Sequence, residues 1–291
     1  MKSVLITGTS KGIGLETALA LSRAGHKVYA TMRNPSRSPE LAGTVEKEKL
    51  PVTISTMDVD SDSSVTQAIG QIYESGGNID VLVNNAGIEY TGTVEEVPLS
   101  AFRALMETNY FGPLRCIKAV VPRMRKQRNG HIINVSSVAG RIAACPMAPY
   151  AAAKWALEGL SEALAQEMKA VNVRVSIVEP GIIATAMAKR IGDPASPSAS
   201  SQARRWAGFF AAALKDPVPA SVVAEKIVEI IESEIRTLRH PVGPSAIPFL
   251  QWRSAMSDEQ WVDWGALEDD AWYRRVQEDF GFDARAQAVK A

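Results

Sequence analysis

The sequence predicts an α/β fold: a doubly wound parallel sheet with helices on both faces and a C-terminal extension. Three observations predict it. Short runs rich in Val and Ile recur along the 291 residues, segments of helical period separate them, and the runs lack the strict alternation of a strand with one wet face. Strands covered on both faces read as unbroken apolar runs, and parallel neighbours need crossover helices.

The elements follow in order. Residues 4–6, 27–32, 52–57, 81–83, 131–135 and 174–178 are the expected strands. Segment 14–24 sets Leu15, Ala18, Leu19 and Ser22 on one helical face, and segment 64–73 does the same with Val65, Ala68, Ile69 and Ile72. A helix over 221–235 leads to a last strand at 238–242. Two segments leave this rhythm. Residues 192–202 are dense in Pro, Ser and Ala, which suits a mobile loop, and the apolar 206–214 follows, so about 186–214 reads as a lid. Beyond Pro244, Trp252, Trp261, Trp264 and Trp272 stand among acids. Tryptophans on an exposed tail would leave a large apolar patch, so this extension is expected to pack over the substrate side or a subunit interface. Trp261 and Trp264, three apart, would form its apolar edge, with Asp258, Glu259 and Asp263 left wet.

Composition narrows the function. With 46% hydrophobic and 22% charged residues the chain is not of the disordered class. Its 32 Lys+Arg balance 32 Asp+Glu, which provides no basic field for nucleic acid or an anionic membrane. Cys116 and Cys145 cannot build a disulfide framework and have no Cys/His set beside them, so no metal is expected. The first apolar run breaks at Gly8, too soon for a signal peptide, and no stretch reaches the roughly 18 apolar residues of a membrane span. A cytoplasmic protein is expected.

Thr7-Gly8-Thr9-Ser10-Lys11-Gly12-Ile13-Gly14 follows the first strand and opens the first helix. Glycines there allow a tight turn and close approach to a pyrophosphate, which the free N–H groups of the helix attract. Tyr150 and Lys154, four apart, share one face of a helix. An ammonium beside a phenol favours phenolate, so the tyrosine pKa is expected to fall from about 10 toward the working range. Such a group can act as acid toward a ketone and base toward an alcohol. Taken singly, a helix-head tyrosine, a lysine one turn on, a strand-end serine and a turn asparagine are more often structural. Their joint order carries the argument.

That order is Gly8, Gly12 and Gly14, with three residues between the first two; Asn84-Asn85-Ala86-Gly87; Asn109; Ser136-Ser137; Tyr150-Ala151-Ala152-Ala153-Lys154; and Pro180-Gly181-Ile182-Ile183-Ala184-Thr185. Over about residues 2–243 the set resembles the compact branch of the short-chain dehydrogenase/reductase family, nearest its 17β-hydroxysteroid and retinol dehydrogenase group. The resemblance implies a Rossmann-type three-layer sandwich, a homo-oligomer (dimer or tetramer), and a ketone, aldehyde or alcohol substrate of apolar character. It implies Tyr150, Lys154 and Ser137, rather than Ser136, as catalytic groups, with Asn109 holding a water near Lys154 for proton relay. It also implies a dinucleotide held by Gly8, Thr9, Ser10, Lys11, Gly12, Ile13, Gly14, Asp58, Val59, Asn85, Ala86, Gly87, Tyr150, Lys154, Pro180, Gly181, Ile183 and Thr185. The domain implied is 1–243, dinucleotide-binding and catalytic, with 244–291 as the extension.

Charge selects the cofactor. After the second strand, where an acid commonly holds the ribose diol of NAD, stands Arg33, and Lys11 in the glycine turn adds a second cation. The expectation is NADP(H). Ile142, Ala143, Met147, Met187, Trp206, Phe209 and Phe210 suit an apolar substrate pocket, and Cys145 reads as filler rather than nucleophile. Two other functions compete. A non-catalytic NADP(H)-binding regulator would have lost one of Ser137, Tyr150 or Lys154, and an epimerase or dehydratase would carry a larger C-terminal domain than 48 residues supply.

Overall fold

The computed structural model describes residues 1–193 and 200–285. Residues 194–199 of the expected lid loop and 286–291 of the extension lie outside the described residues.

Strands β1 (Ser3–Thr7), β2 (Lys27–Met32), β3 (Val52–Thr56), β4 (Val81–Asn84), β5 (Gly130–Val135), β6 (Val173–Pro180) and β7 (Arg239–Val242) form one parallel sheet, in the order β3-β2-β1-β4-β5-β6-β7. β1 pairs with β2 on one side and with β4 on the other, Val4 lying opposite both Val28 and Val81. The winding reverses there, and the connections leaving β1 and β4 diverge to open a crevice at the C-terminal ends of the strands.

The helices are α1 (Gly12–Arg23), α2 (Pro39–Glu48), α3 (Asp62–Glu74), α4 (Leu99–Met106), α5 (Gly112–Gln127), α6 (Ala148–Lys169), α7 (Ala186–Ile191), α8 (Ser201–Ala213), α9 (Ser221–Glu232), α10 (Ala246–Ser254), α11 (Asp258–Ala266) and α12 (Asp269–Phe280). Side chains alternate along each strand, so the central strands feed two cores. Val4, Ile6, Val28, Ala30, Val81 and Val83 pack with Leu15 and Ala18 of α1, Leu41 of α2 and Ile227 of α9. Leu5, Tyr29, Leu82 and Ile132 turn the other way, onto Val65 and Ile69 of α3, Ile117 and Val120 of α5 and Leu164 of α6. This double covering is why the central strands β1, β2, β4 and β5 are buried almost throughout. The architecture is a Rossmann-type three-layer sandwich with extra C-terminal helices.

Helix α9 stops at Glu232, short of the 235 expected from its period. The cause is tertiary. Arg174 donates to the carbonyls of Ile230, Ser233 and Ile235 at 3.2, 2.7 and 2.7 Å, satisfying oxygens that another turn of helix would have used.

Helices α10, α11 and α12 fold back onto α8. Phe209, Trp264 and Trp272 are buried in the cluster they share, with Trp206, Phe249, Trp252 and Phe280 packed around them. Trp261 and Trp264 stack with centroids 5.5 Å apart, and Asp258, Glu259 and Asp263 stay exposed. Asp279 accepts from Trp252 Nε1 at 3.2 Å, Trp264 Nε1 at 3.3 Å and Arg275 Nε at 3.0 Å, so the polar edges of this cluster are satisfied. Among the described residues no helix is long and apolar enough to cross a membrane, and no group of His, Cys, Asp and Glu could hold a metal ion.

Candidate active site

A cleft of about 940 Å³ crosses the C-terminal ends of the strands. At one end the backbone makes its wall. Gly8 has φ +72°, and a Cβ there would stand 2.7 Å from Ala86 Cα, so only glycine lets the two strand ends approach. Asn85 Nδ2 donates to the carbonyls of Thr7 and Gly8, while the amides of Asn85 and Ala86 donate to Thr7 Oγ1. The asparagine motif therefore shapes the glycine turn. Helix α1 opens from Lys11 with no side-chain cap and no acid in its first turn, so its N–H groups face the cleft unneutralised.

Gly8, Ser10, Lys11, Gly12, Ile13, Asn85, Ala86 and Gly87 line this end as expected. Thr9 and Gly14 do not. Thr9 is fully buried and turns inward, its N and Oγ1 both donating to Thr31 O. A Cβ at Gly14 would collide with Gly8 O and Asn85 Nδ2, so this glycine serves the packing of helix on turn. Pro180, Gly181, Ile183 and Thr185 form the opposite wall, where Thr185 caps α7 by accepting from Ala188 N at 3.3 Å.

The charges at the rim are mostly positive. Lys11 and Arg33 are exposed on the cleft and are joined by Arg37, which the sequence reading missed. The 3-10 turn Pro35–Arg37, capped by the Asn34 side chain on Ser36 N, brings Arg37 there. Asp58 and Val59 line the same end with Asp60, whose carboxyl burial pushes up against a hydrogen bond from Thr108 Oγ1.

At the centre of the cleft stand Ser137, Tyr150 and Lys154. Tyr150 rides on the first turn of α6, and Lys154 reaches back one turn later, its Nζ 5.7 Å from the centroid of the tyrosine ring. Lys154 Nζ donates to Val135 O at 2.8 Å, which fixes the lysine to the end of β5. Ser137 Oγ accepts from Ala139 N at 3.1 Å, leaving its own proton to give. The electrostatics differ from expectation. Burial pushes the Tyr150 phenol up to about 12, opposed by its hydrogen bond with Ser137 and reinforced by the charge of Glu89. Burial likewise pushes Lys154 down to about 8, opposed by Glu158. Desolvation dominates, so the tyrosine keeps its proton at neutral pH.

Asn109 is also placed differently. It lies fully buried in the π-helical turn Glu107–Phe111, outside the cleft wall. Its Oδ1 accepts from Ile88 N and its Nδ2 donates to Ile88 O, each at 2.9 Å, which fixes the carboxamide and leaves one donor and one lone pair unused by these bonds.

The far end of the cleft is apolar. Ile142, Met147, Met187, Trp206, Phe209 and Phe210 line it, together with Phe249, Trp252 and Phe280 from the C-terminal helices. Ala143 instead points outward, and its carbonyl accepts from Trp261 Nε1 at 3.0 Å, tying α11 to the loop before α6. At this end Arg205 of α8 is buried against Trp272, with its guanidinium 5.2 Å from the ring centroid, and donates to the carbonyls of Leu267 and Gly265. Arg190 of α7 pairs with Glu89 at 2.6 Å. Cys145 hydrogen-bonds Gln202 Oε1, and burial raises its thiol, the opposite of a nucleophile's tuning.

The sequence profile of short chain dehydrogenases matches residues 2–195. The chain belongs to the short-chain dehydrogenase family. Among its relatives, oxidoreductase BOA17 of Botryotinia fuckeliana is 35% identical over 265 residues, covering 88% of this chain and 95% of that protein. Retinol dehydrogenase 8 of Bos taurus is 43% identical over 189 residues, covering 63% of this chain but 60% of the relative's own length. A short-chain dehydrogenase of Streptomyces avermitilis superposes with a TM-score of 0.78 at 30% identity, covering 91% of this chain and 96% of its own. In this dehydrogenase Arg37, Phe249 and Phe280 escaped the motif reading because they are ordinary residues whose position in the cleft depends on how distant segments pack, whereas Trp252 belongs to the extension expected over the substrate side. For Arg37 the signal was present, as a second cation four residues after Arg33.

Proposed function

We propose that this dehydrogenase uses NADP(H) to interconvert an apolar ketone or aldehyde and the corresponding alcohol. One observation carries the reading: Ser137, Tyr150 and Lys154 stand midway along a single cleft that is cationic at one end and aromatic at the other. The backbone cradle at Gly8 and Gly12 and the uncapped start of α1 suit a pyrophosphate, and Lys11, Arg33 and Arg37 suit a 2′-phosphate. Bound there, the nicotinamide supplies or accepts the hydride.

The protein's own residues manage the oxygen and its proton. Ser137 donates a hydrogen bond to the substrate oxygen and keeps its proton. In reduction the Tyr150 phenol, kept protonated by burial, gives its proton to the same oxygen as the alcohol forms, and in oxidation the ionised minor form of Tyr150 takes that proton back. Lys154, anchored on Val135 O, stabilises the phenolate left behind. Asn109 positions the Ile88 backbone beside the cleft, and its proposed role remains to hold a water near Lys154 for proton relay. Residues 1–243 serve as the catalytic domain, with 244–291 completing its substrate end. The reading extends to a cytoplasmic homo-oligomer, dimer or tetramer, supported by the exposed Phe111 and Trp155.

The test is a panel of ketones, aldehydes and alcohols followed at the nicotinamide absorbance with NADPH and NADH. The expected result is turnover of bulky apolar carbonyls with NADPH preferred. Turnover confined to small polar substrates, or indifference to the cofactor's phosphate, overturns the corresponding half of the proposal.

A further inference from the structure

Beneath the lysine of the cleft lies a second set of ionisable groups that the proposed chemistry does not use. Glu158 follows Lys154 by one turn of α6, and Glu179 is the penultimate residue of β6. Glu158 is 4% exposed and Glu179 is 1% exposed. Arg239 of β7 reaches both, with its Nε 3.1 Å from Glu158 Oε2 and 3.6 Å from Glu179 Oε1. Arg141 stands 3.5 Å from Glu179 Oε1. Arg239 is also shared with Glu162 of α6 at 3.2 Å. The remaining oxygens, Glu158 Oε1 and Glu179 Oε2, are buried without a hydrogen-bond partner, as is Ser136 Oγ at the end of β5.

Ser136 and Glu158 converge over Gly140, where a Cβ would stand 2.7 Å from Ser136 Oγ and 2.9 Å from Glu158 Cγ. The charged and titratable groups around Glu158 are therefore Lys154 and Glu162 on its own helix, Arg141 after a second 3-10 turn at Val138–Gly140, Glu179 on β6 and Arg239 on β7. Two buried carboxyls crowded on one guanidinium nitrogen do not both ionise readily, and they titrate as a pair. Arg239 Nε is the nearer to Glu158, so the negative charge settles there and the proton on Glu179.

We propose that Glu158, which shares the Arg239 guanidinium with a protonated Glu179, is a positioning residue that keeps the Lys154 ammonium charged. The proposal rests on the assignment of Lys154 to the catalytic set. Burial pushes Glu179 up to about 7, with Glu158 adding to the effect, and Glu158 is the group that opposes the fall of Lys154. Without that carboxylate, a lysine 5% exposed at the centre of the cleft would lose its proton at a lower pH.

The experiment titrates Lys154 directly, by 13C NMR of the full chain labelled at lysine Cε, with the resonance assigned by its loss in Lys154→Arg. Glu158→Gln, nearly the same shape without the charge, is expected to lower the Lys154 pKa by about one unit, the scale of a partly screened charge pair. The basic limb of the kcat/KM profile should move down with it. Glu179→Gln, which mimics the protonated partner, should leave both in place, as should Glu162→Gln. If Glu158→Gln does not fold, Arg239→Gln replaces it: with the guanidinium gone the carboxyl pair stays neutral, and Lys154 falls in the same direction. An unmoved Lys154 in Glu158→Gln, or an equal shift in Glu179→Gln, overturns the proposal. Turnover that survives Lys154→Arg and Lys154→Ala would instead overturn the catalytic assignment, while the NMR titration still decides the role of Glu158.

Discussion

The two ends of the cleft are built by different means. At the dinucleotide end the contacts come from the backbone: Gly8 at φ +72°, Gly12 at φ +59°, the start of α1 and the Asn85 clasp, all contributed by two strand ends that adjoin in the sheet. At the substrate end the wall is made of side chains from the loop before α6, from α7 and α8, and from the three C-terminal helices. A backbone-built site tolerates few residue types, because a Cβ at Gly8 or Gly14 has nowhere to go. A side-chain wall tolerates many, provided that the volume is filled. The first end therefore suits a ligand held in common across a family, and the second suits a substrate that changes between members.

The largest expected effect lies where the two ends meet. Tyr150→Phe should reduce kcat by about 100- to 10,000-fold, the usual contribution of a general acid, with NADPH affinity by fluorescence titration unchanged. Retention of near-normal turnover would place the proton donor elsewhere.

Next comes the cationic rim. Each charge-assisted hydrogen bond to a 2′-phosphate is worth about 1.5–3 kcal/mol, or roughly tenfold to a hundredfold in kcat/KM. Arg33→Asp should then reverse the preference of NADPH over NADH, while leaving the apolar end untouched. Equal kcat/KM for both cofactors in the unaltered protein would show that the arginine does not reach the phosphate.

At the aromatic end the expected effects are smaller and depend on the substrate. Phe249→Ala should raise KM for bulky apolar substrates about tenfold, the worth of a few lost contacts, with little change for small ones and none in NADPH affinity. A change in NADPH affinity would mean that the two ends are not separable. Removing everything after Gly243 is a blunter tool, because it would expose Phe209 of α8, which is 2% exposed inside the shared aromatic cluster. Such a truncation should lose stability first, visible as a lowered Tm.

The gentlest probe is pH. With the phenol at about 12 and the ammonium at about 8, Tyr150 stays protonated across the working range while Lys154 gives up its proton first. Below about 8 the lysine is charged and kcat/KM for reduction should be flat; above it the rate should decline as that charge is lost. A basic limb that begins well below 8 would point to another group.

The same contrast explains what could be read without coordinates. Gly8-to-Gly14, Asn84-to-Gly87 and Tyr150-to-Lys154 are local strings whose spacing is set by one turn or one helical repeat, so their partners lie within reach along the chain. Arg37 is marked only by standing four residues after Arg33, and Phe249 and Phe280 are not marked by spacing at all. Thr9 and Asn109 show the converse, since both sit inside motif strings while their side chains serve Thr31 O and the Ile88 backbone.

From the sequence alone came the doubly wound sheet, the position of the glycine turn and the joint occurrence of Ser137, Tyr150 and Lys154. Hydrophobic period and turn chemistry are short-range physics, written in consecutive residues. The tertiary structure decided that Tyr150 is buried and its phenol raised rather than lowered, that α9 ends under Arg174, that the tryptophans of α10–α12 seal against α8, and that Glu158 and Glu179 meet beneath Lys154. Desolvation and long-range charge depend on every group that packs around a site, and residues as far apart as Arg141, Glu158, Glu179 and Arg239 become neighbours only when the sheet has formed.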